Sequence, residues 1–261
     1  MIVTSKELKR RARAALSGRY FLASTLTMTL SLVTLGLSFL LDLSGFGESA
    51  QPMHQFFFWA LWFIMLILGA LFEVGLLRVL YACSKKEPSL PRGVLFYAFK
   101  NQPDTFILTS AFQYLITLIW FVPALWKYMT FPIPNTYEEL LGELIPVLLL
   151  ALAGLIPAVI ASLPFCLTNY VLLDSPYATA REALRGSWQL TKGHRMQILR
   201  LWISFLPLCL VGLGSYGFGF LWIKPYYHTT MNQLYLEITG QRPMEENTQE
   251  NTESAGTNPE F

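Results

Sequence analysis

Long apolar runs separated by short basic segments dominate the chain. A helix that crosses a bilayer needs about 20 mostly apolar residues. Such runs extend over Tyr20–Leu41, Gln55–Leu80, Thr105–Trp126 and Leu144–Leu173. The fourth would reach about 45 Å as a straight helix, against about 30 Å of hydrocarbon. It contains Pro146, Pro157 and Pro164, each of which removes an amide donor and favours a kink. A bent helix protruding on one side is predicted. The last apolar stretch, Met196–Ile223, reads either as one long helix or as part of a hairpin. Gly212, Gly214, Gly217 and Gly219 cluster around Ser215-Tyr216, and glycine favours turns. The preferred reading is a hairpin joining helices at 196–213 and 218–238. The pattern thus predicts an all-α, polytopic transmembrane helix bundle. It has about six spanning helices (20–41, 55–80, 105–126, 144–173, 196–213, 218–238) in a single membrane domain over residues 1–240. The polar residues 241–261 lack apolar spacing and are predicted to be a disordered cytoplasmic tail.

Three polar segments share a design: a short helical pattern, a Gly or Asn break, then a spanning helix. The first covers Glu7–Gly18. The second starts at Pro91 and breaks at Asn101-Gln102-Pro103. The third starts at Pro176 and breaks at Lys192-Gly193-His194. Thr4-Ser5-Lys6-Glu7 fits a capping box, and Ser175-Pro176 fits a cap followed by proline at the first helical position. In the third segment Tyr177, Ala180, Leu184 and Trp188 form one apolar face, with Arg181, Glu182, Arg185, Gln189 and Lys192 on the others. Such amphipathic helices can lie in the headgroup plane on the cytoplasmic side. Arg181, Arg185, Trp188 and Lys192 are therefore candidate contacts to anionic lipid headgroups.

Composition agrees with lipid as the main solvent. Hydrophobic residues make up 53% and charged residues only 14% of 261, against about 25% charged in a soluble domain. A soluble enzyme and a nucleic-acid partner are disfavoured. Net charge is +2, and its placement says more than its size. With six helices and a cytoplasmic N-terminus, all but Lys127 and Lys224 of the 19 basic residues fall on the inner side, as the positive-inside rule requires. Asp42, Glu48, Glu138, Glu139 and Glu143 fall outside. Both termini are expected to be cytoplasmic, in a multi-pass cell (inner) membrane protein. The run Tyr20–Leu41 exceeds the roughly 7–15 residues of a signal-peptide core, and no A-x-A-like site follows it, so it reads as a retained helix.

Catalytic motifs are missing: there is no G-x-S-x-G, Walker loop, H-E-x-x-H or dinucleotide fingerprint. Cys83, Cys166 and Cys209 lack metal-site spacing. No cofactor, metal or catalytic residue is expected. Polar residues inside the apolar runs are the remaining functional pointers, namely Glu73, Arg78, Gln113, Asn169, Lys224, His228 and Asn232. Depth counting puts Glu73 about 10 Å from Leu80, and His228 and Lys224 about 15 and 21 Å from Ile238. On that basis Glu73 matches His228 or Asn232 better than Lys224, which would snorkel outward. Glu73, Asn169, His228 and Asn232 form the candidate intramembrane polar site.

The stretch Tyr170–Pro176, then Ala180-Arg-Glu-Ala183, Ser187-Trp-Gln-Leu190 with Lys192-Gly193, Gly217-Phe-Gly219 and Pro225-Tyr226, resembles an uncharacterised bacterial integral membrane family. That family is catalogued as domain of unknown function 975. Ser5-Lys6-Glu7-Leu8-Lys9 and Ala14–Tyr20 fit it too. The resemblance implies a multi-helix membrane protein and no defined activity. The expected role is non-enzymatic, as an envelope component or an accessory to transport or stress systems. The alternative is a transporter or channel for a small or amphiphilic solute using the polar intramembrane site.

Overall fold

The computed structural model describes residues 4–43, 45, 52–85, 93–130 and 136–241. Among these there is no strand. The helices, in chain order, are α1 (Ser5–Leu16), α2 (Tyr20–Leu43), α3 (Pro52–Ser84), α4 (Tyr97–Lys100), α5 (Pro103–Leu118), α6 (Val122–Met129), α7 (Tyr137–Ser162), α8 (Thr168–Asp174), α9 (Ala180–Thr191), α10 (Arg195–Gly214) and α11 (Phe220–Thr239). Short 3-10 turns stand at Val94–Phe96, Ile119–Phe121 and Leu163–Phe165. The Pro91 start predicted for the second basic segment, and the tail beyond Gln241, lie outside the described residues.

Among the described residues, five helical stretches are long and apolar enough to cross a membrane: Tyr20–Leu43, Phe56–Ser84, Pro103–Met129, Tyr137–Asp174 and Arg195–Gly214. The sixth predicted helix forms as α11, but it is less apolar and buries Thr229–Leu236 within the protein. The chain is all-α and multi-pass in character. The third span is not one continuous helix; a 3-10 turn divides α5 from α6. In the fourth, Pro146 and Pro157 stay inside α7. The break falls at Pro164, where the 3-10 turn leads into α8.

The glycine cluster makes the predicted hairpin. Tyr216 and Gly217 take φ of 52° and 88°. The Ser215 hydroxyl donates to the Gly212 carbonyl at 2.8 Å and accepts the Gly219 amide at 2.8 Å. A Cβ on Gly219 would lie 2.8 Å from the Gly212 Cα, so only glycine fits this close return.

The three basic segments share a turn as well as a pattern. Before α2, α5 and α10 the chain passes through one left-handed residue: Gly18 at φ 78°, Gln102 at 51° and Gly193 at 95°.

The described chain forms two compact units, Met1–Pro103 with Arg200–Phe261, and Asp104–Leu199. In the first, α1 buries Leu8, Ala12 and Leu16 completely and packs on α11 and α3. Its apolar face is covered by protein rather than by lipid headgroups. Arg11, only 7% exposed, bonds Glu7 at 2.9 Å and Glu237 of α11 at 3.2 Å. Lys9 donates to the carbonyl and hydroxyl of Ser204 at 2.7 and 2.6 Å. The predicted capping box at Thr4 does not form: the Thr4 side chain makes no cap bond. Glu7 turns instead to Arg10 and Arg11, because two guanidinium donors outcompete one amide. Those bonds, Arg10 first, hold the Glu7 carboxyl below its ordinary value.

In the second unit, α7 meets the 3-10 turn before α6 so closely that a Cβ on Gly154 would overlap the Trp120 carbonyl. α9 starts later than predicted. Ser175 ends α8, and Thr179 caps α9 in a capping box with Glu182, whose carboxyl is lowered chiefly by the Thr179 amide. The buried face of α9 is Ala180, Ala183, Ser187 and Thr191. Tyr177 and Trp188, on the face expected at the headgroups, stay 91% and 45% exposed. The reason for the buried face lies at Pro164. Breaking the helix there frees backbone groups that need partners away from water. Ser187 donates to the Pro164 carbonyl at 2.8 Å and accepts the Leu167 amide at 3.2 Å. The Thr191 hydroxyl lies 3.3 Å from the same carbonyl and 2.9 Å from the Ser187 carbonyl of its own helix, and Gln113 donates to the Phe165 carbonyl at 2.7 Å.

Candidate functional site

The first unit holds an ion cluster between two long helices. α3 supplies Glu73. α11 supplies Lys224, His228 and Asn232, which follow one another at intervals of four and so share a face. Glu73 Oε1 meets Lys224 Nζ at 3.1 Å and His228 Nε2 at 3.3 Å. Glu73 and His228 each lie eleven residues before the end of their helix, at Ser84 and Thr239, so the match of these two by depth is realised. Lys224 is a correction. It does not turn away from Glu73, because the lysine stem is long enough to reach back across one helical turn.

Two polar groups beside the pair are left over. Asn232 is fully buried, and its Oδ1 and Nδ2 both lack hydrogen-bond partners. His228 Nδ1 is also buried and unpartnered. Since Nε2 faces the carboxylate, it carries a proton to donate. Buried polar atoms without partners are uncommon and mark strain, function or bound solvent.

Two adjoining hollows of about 330 and 380 Å³ open beside the cluster. They share Thr27, Ser31, Leu35 and Lys224. Thr27, Ser31, Thr34 and Ser38 stand at helical spacing on one face of α2 and line the larger hollow with Leu30 and Leu76. Leu32, Phe218 and Leu221 are among the residues lining the other. Among the described residues, Lys224 is the charged side chain lining either hollow, while Glu73 and His228 line neither. The hollows are thus lined by the ammonium and not by the carboxylate, although the Glu73 side chain is itself 36% exposed.

The remaining candidates lie in the second unit. Asn169 sits on α8 with a buried, unpartnered Oδ1. Arg181, Arg185, Trp188 and Lys192 are all exposed along α9 and its end, and the Arg195 guanidinium lies 4.8 Å from the Trp188 ring. Sequence reasoning missed the α2 hydroxyl face. Its signal was present, as small hydroxyls at positions 27, 31, 34 and 38 of an otherwise apolar helix.

An all-helical chain with several spans and a polar cluster between two of its helices defines a polytopic membrane protein. More specifically, the chain belongs to the family described as protein of unknown function (DUF975), whose model matches residues 1–242. Comparison with curated proteins and with solved structures finds no match.

Proposed function

We propose that this chain is a multi-pass cell-membrane protein, not an enzyme, that takes up an amphiphilic solute at the groove beside Glu73, Lys224 and His228 and serves its transport. The observation that carries the reading is an ammonium exposed to a hydroxyl-lined hollow while held by a carboxylate. Ionisable groups in spanning helices are costly and mark substrate or ion paths. A bundle built only for packing would close over them. This favours the transport reading over a purely accessory role.

In this reading both termini are cytoplasmic. Arg181, Arg185 and Lys192 then meet anionic headgroups, each adding about 1 kcal/mol near the surface, with Trp188 at the interface. The membrane is the partner, and no cofactor takes part. The test is flux through purified protein in liposomes, comparing the unaltered chain with Glu73→Gln. Loss of flux in the variant is expected; unchanged flux refutes a role for the cluster. Reporter fusions after Gln241 and within residues 215–219 test orientation, the first expected to report cytoplasm and the second the outside.

A further inference from the structure

We infer that the groove between α2 and α11 is a binding site for a single-chain amphiphile with a carboxylate head, held by Lys224 and Ser31. The inference rests on the solute-binding reading above and names the class of solute. Four observations carry it. First, the charge facing the hollows is positive, because Lys224 lines both and Glu73 lines neither. An ammonium has three donors; Glu73 engages one of them at 3.1 Å, and the Lys224 side chain remains 40% exposed. Tyr216, Gly217 and Phe218 of the hairpin line the same hollow, so the ammonium stands toward the interfacial end of the groove, where an amphiphile's head would lie.

Second, the hydroxyls do not all compete for the head as donors. Thr27 and Thr34 donate to the carbonyls of Ala23 and Leu30, which leaves them as acceptors. Ser31, shared by both hollows, is the hydroxyl placed to donate to a carboxylate beside the ammonium. Third, the walls beyond the head are apolar: Met28, Leu32, Leu35, Phe218 and Leu221. Met28 to Leu35 spans about 10 Å along α2, enough to hold the first part of an acyl chain. Fourth, each hollow lies near the lower end of the roughly 300–1,000 Å³ typical of small-molecule sites, which fits one chain rather than two.

Glu73 then has a defined part. It is the internal anion that holds Lys224 when the groove is empty, and an incoming carboxylate competes with it. Removing its charge leaves the ammonium free for the ligand.

The test is native mass spectrometry of the full chain, purified in non-ionic detergent, with palmitate, hexadecanol, hexadecyltrimethylammonium and phosphatidylglycerol as probes. One palmitate per chain is expected, preferred about tenfold or more over the neutral and cationic probes. Lys224→Gln should abolish that preference and Ser31→Ala should weaken it several-fold. Glu73→Gln should raise palmitate affinity, an opposite sign that no folding defect produces. Lys127→Gln, in the other unit, should change nothing. Equal binding of hexadecanol, or palmitate affinity unchanged in Lys224→Gln or not raised in Glu73→Gln, overturns the carboxylate assignment while leaving an amphiphile site standing. Equal competition by phosphatidylglycerol assigns the groove to a two-chain headgroup and likewise overturns it. If none of the four probes binds, the solute-binding reading falls with it.

Discussion

Replacing Ser187 by alanine tests how a broken membrane helix is kept satisfied. Ser187 is completely buried, and one hydroxyl serves two freed groups, the Pro164 carbonyl and the Leu167 amide. The variant affects them unequally. The Pro164 carbonyl keeps the Thr191 hydroxyl within reach at 3.3 Å, and that hydroxyl can turn to it from the Ser187 carbonyl at 2.9 Å. The Leu167 amide, in a residue with no exposed surface, loses the acceptor seen here. A buried donor left unmatched costs about 1–3 kcal/mol. Interhelical hydrogen bonds in membranes average only about 0.6 kcal/mol, because the unfolded reference finds other partners. That pulls the expected loss to about 1–2 kcal/mol. Thr191→Val is the matched control: it removes a donor whose acceptor retains Ser187, so about 0.5 kcal/mol is expected. The assay is equilibrium unfolding by dodecyl sulfate in mixed micelles, followed by circular dichroism. A Ser187→Ala loss no larger than that of Thr191→Val would refute the claim that the α9 face exists to repair the Pro164 break.

Two further outcomes follow from the packing. Gly154→Ala should destabilise by about 1–3 kcal/mol, since its methyl overlaps the Trp120 carbonyl, whereas Gly142→Ala, facing open space, should not; the same unfolding assay decides. Docking of α1 should depend on pH through Glu7, whose folded value lies below its ordinary 4.5 because of Arg10 and Arg11. Its contribution is fully present above 4.5 and is lost as pH falls through the lowered value. Protection factors for amide exchange over residues 5–16, referred to the intrinsic rate at each pH, should fall on acidification in the unaltered chain, and that fall should shrink in Glu7→Gln.

The spans were legible because hydrocarbon imposes length and apolarity on every residue of a helix, so many positions carry the same message. The hairpin was legible from Ser215 and its glycines, whose conformation is local. Starts of short helices were less so. Ser175-Pro176 and Thr179 with Glu182 are both good caps in isolation, and only the end of α8 at Asp174 selects the second. Ser187 was invisible as a clamp because its role is set by Pro164, distant in sequence. Read along α9 alone, the small residues Ala183, Ser187 and Thr191 carry no sign that they pack inside the protein. Lys224 was misplaced because counting along an axis locates a Cα, whereas a lysine ammonium lies several bonds away and goes where a carboxylate is.

The turn common to the three basic segments can be tested as a repeated unit. Gly18, Gln102 and Gly193 occupy the same left-handed position before α2, α5 and α10. For a residue with a Cβ that conformation costs about 1–2 kcal/mol, and Gln102 also precedes Pro103, which pushes its neighbour toward extended backbone. A Cβ at Gly18 or Gly193 meets no atom within 4 Å, so the substitution cost there is conformational rather than steric. Comparing Gly with Ala at each position cancels the side-chain contacts of Gln102. Glycine's greater freedom when unfolded offsets about 0.4–1 kcal/mol. Glycine should therefore win by about 0.5–1 kcal/mol at all three sites. Gly36, inside α2 and facing open space, should show the reverse sign, because a helix interior favours alanine by up to about 1 kcal/mol. Dodecyl sulfate unfolding of the unaltered chain, of Gly18→Ala, Gly36→Ala and Gly193→Ala, and of Gln102→Gly and Gln102→Ala measures each difference. If alanine matched or exceeded glycine at 102 while glycine won at 18 and 193, the three turns would not be equivalent, and their likeness would be one of sequence pattern only.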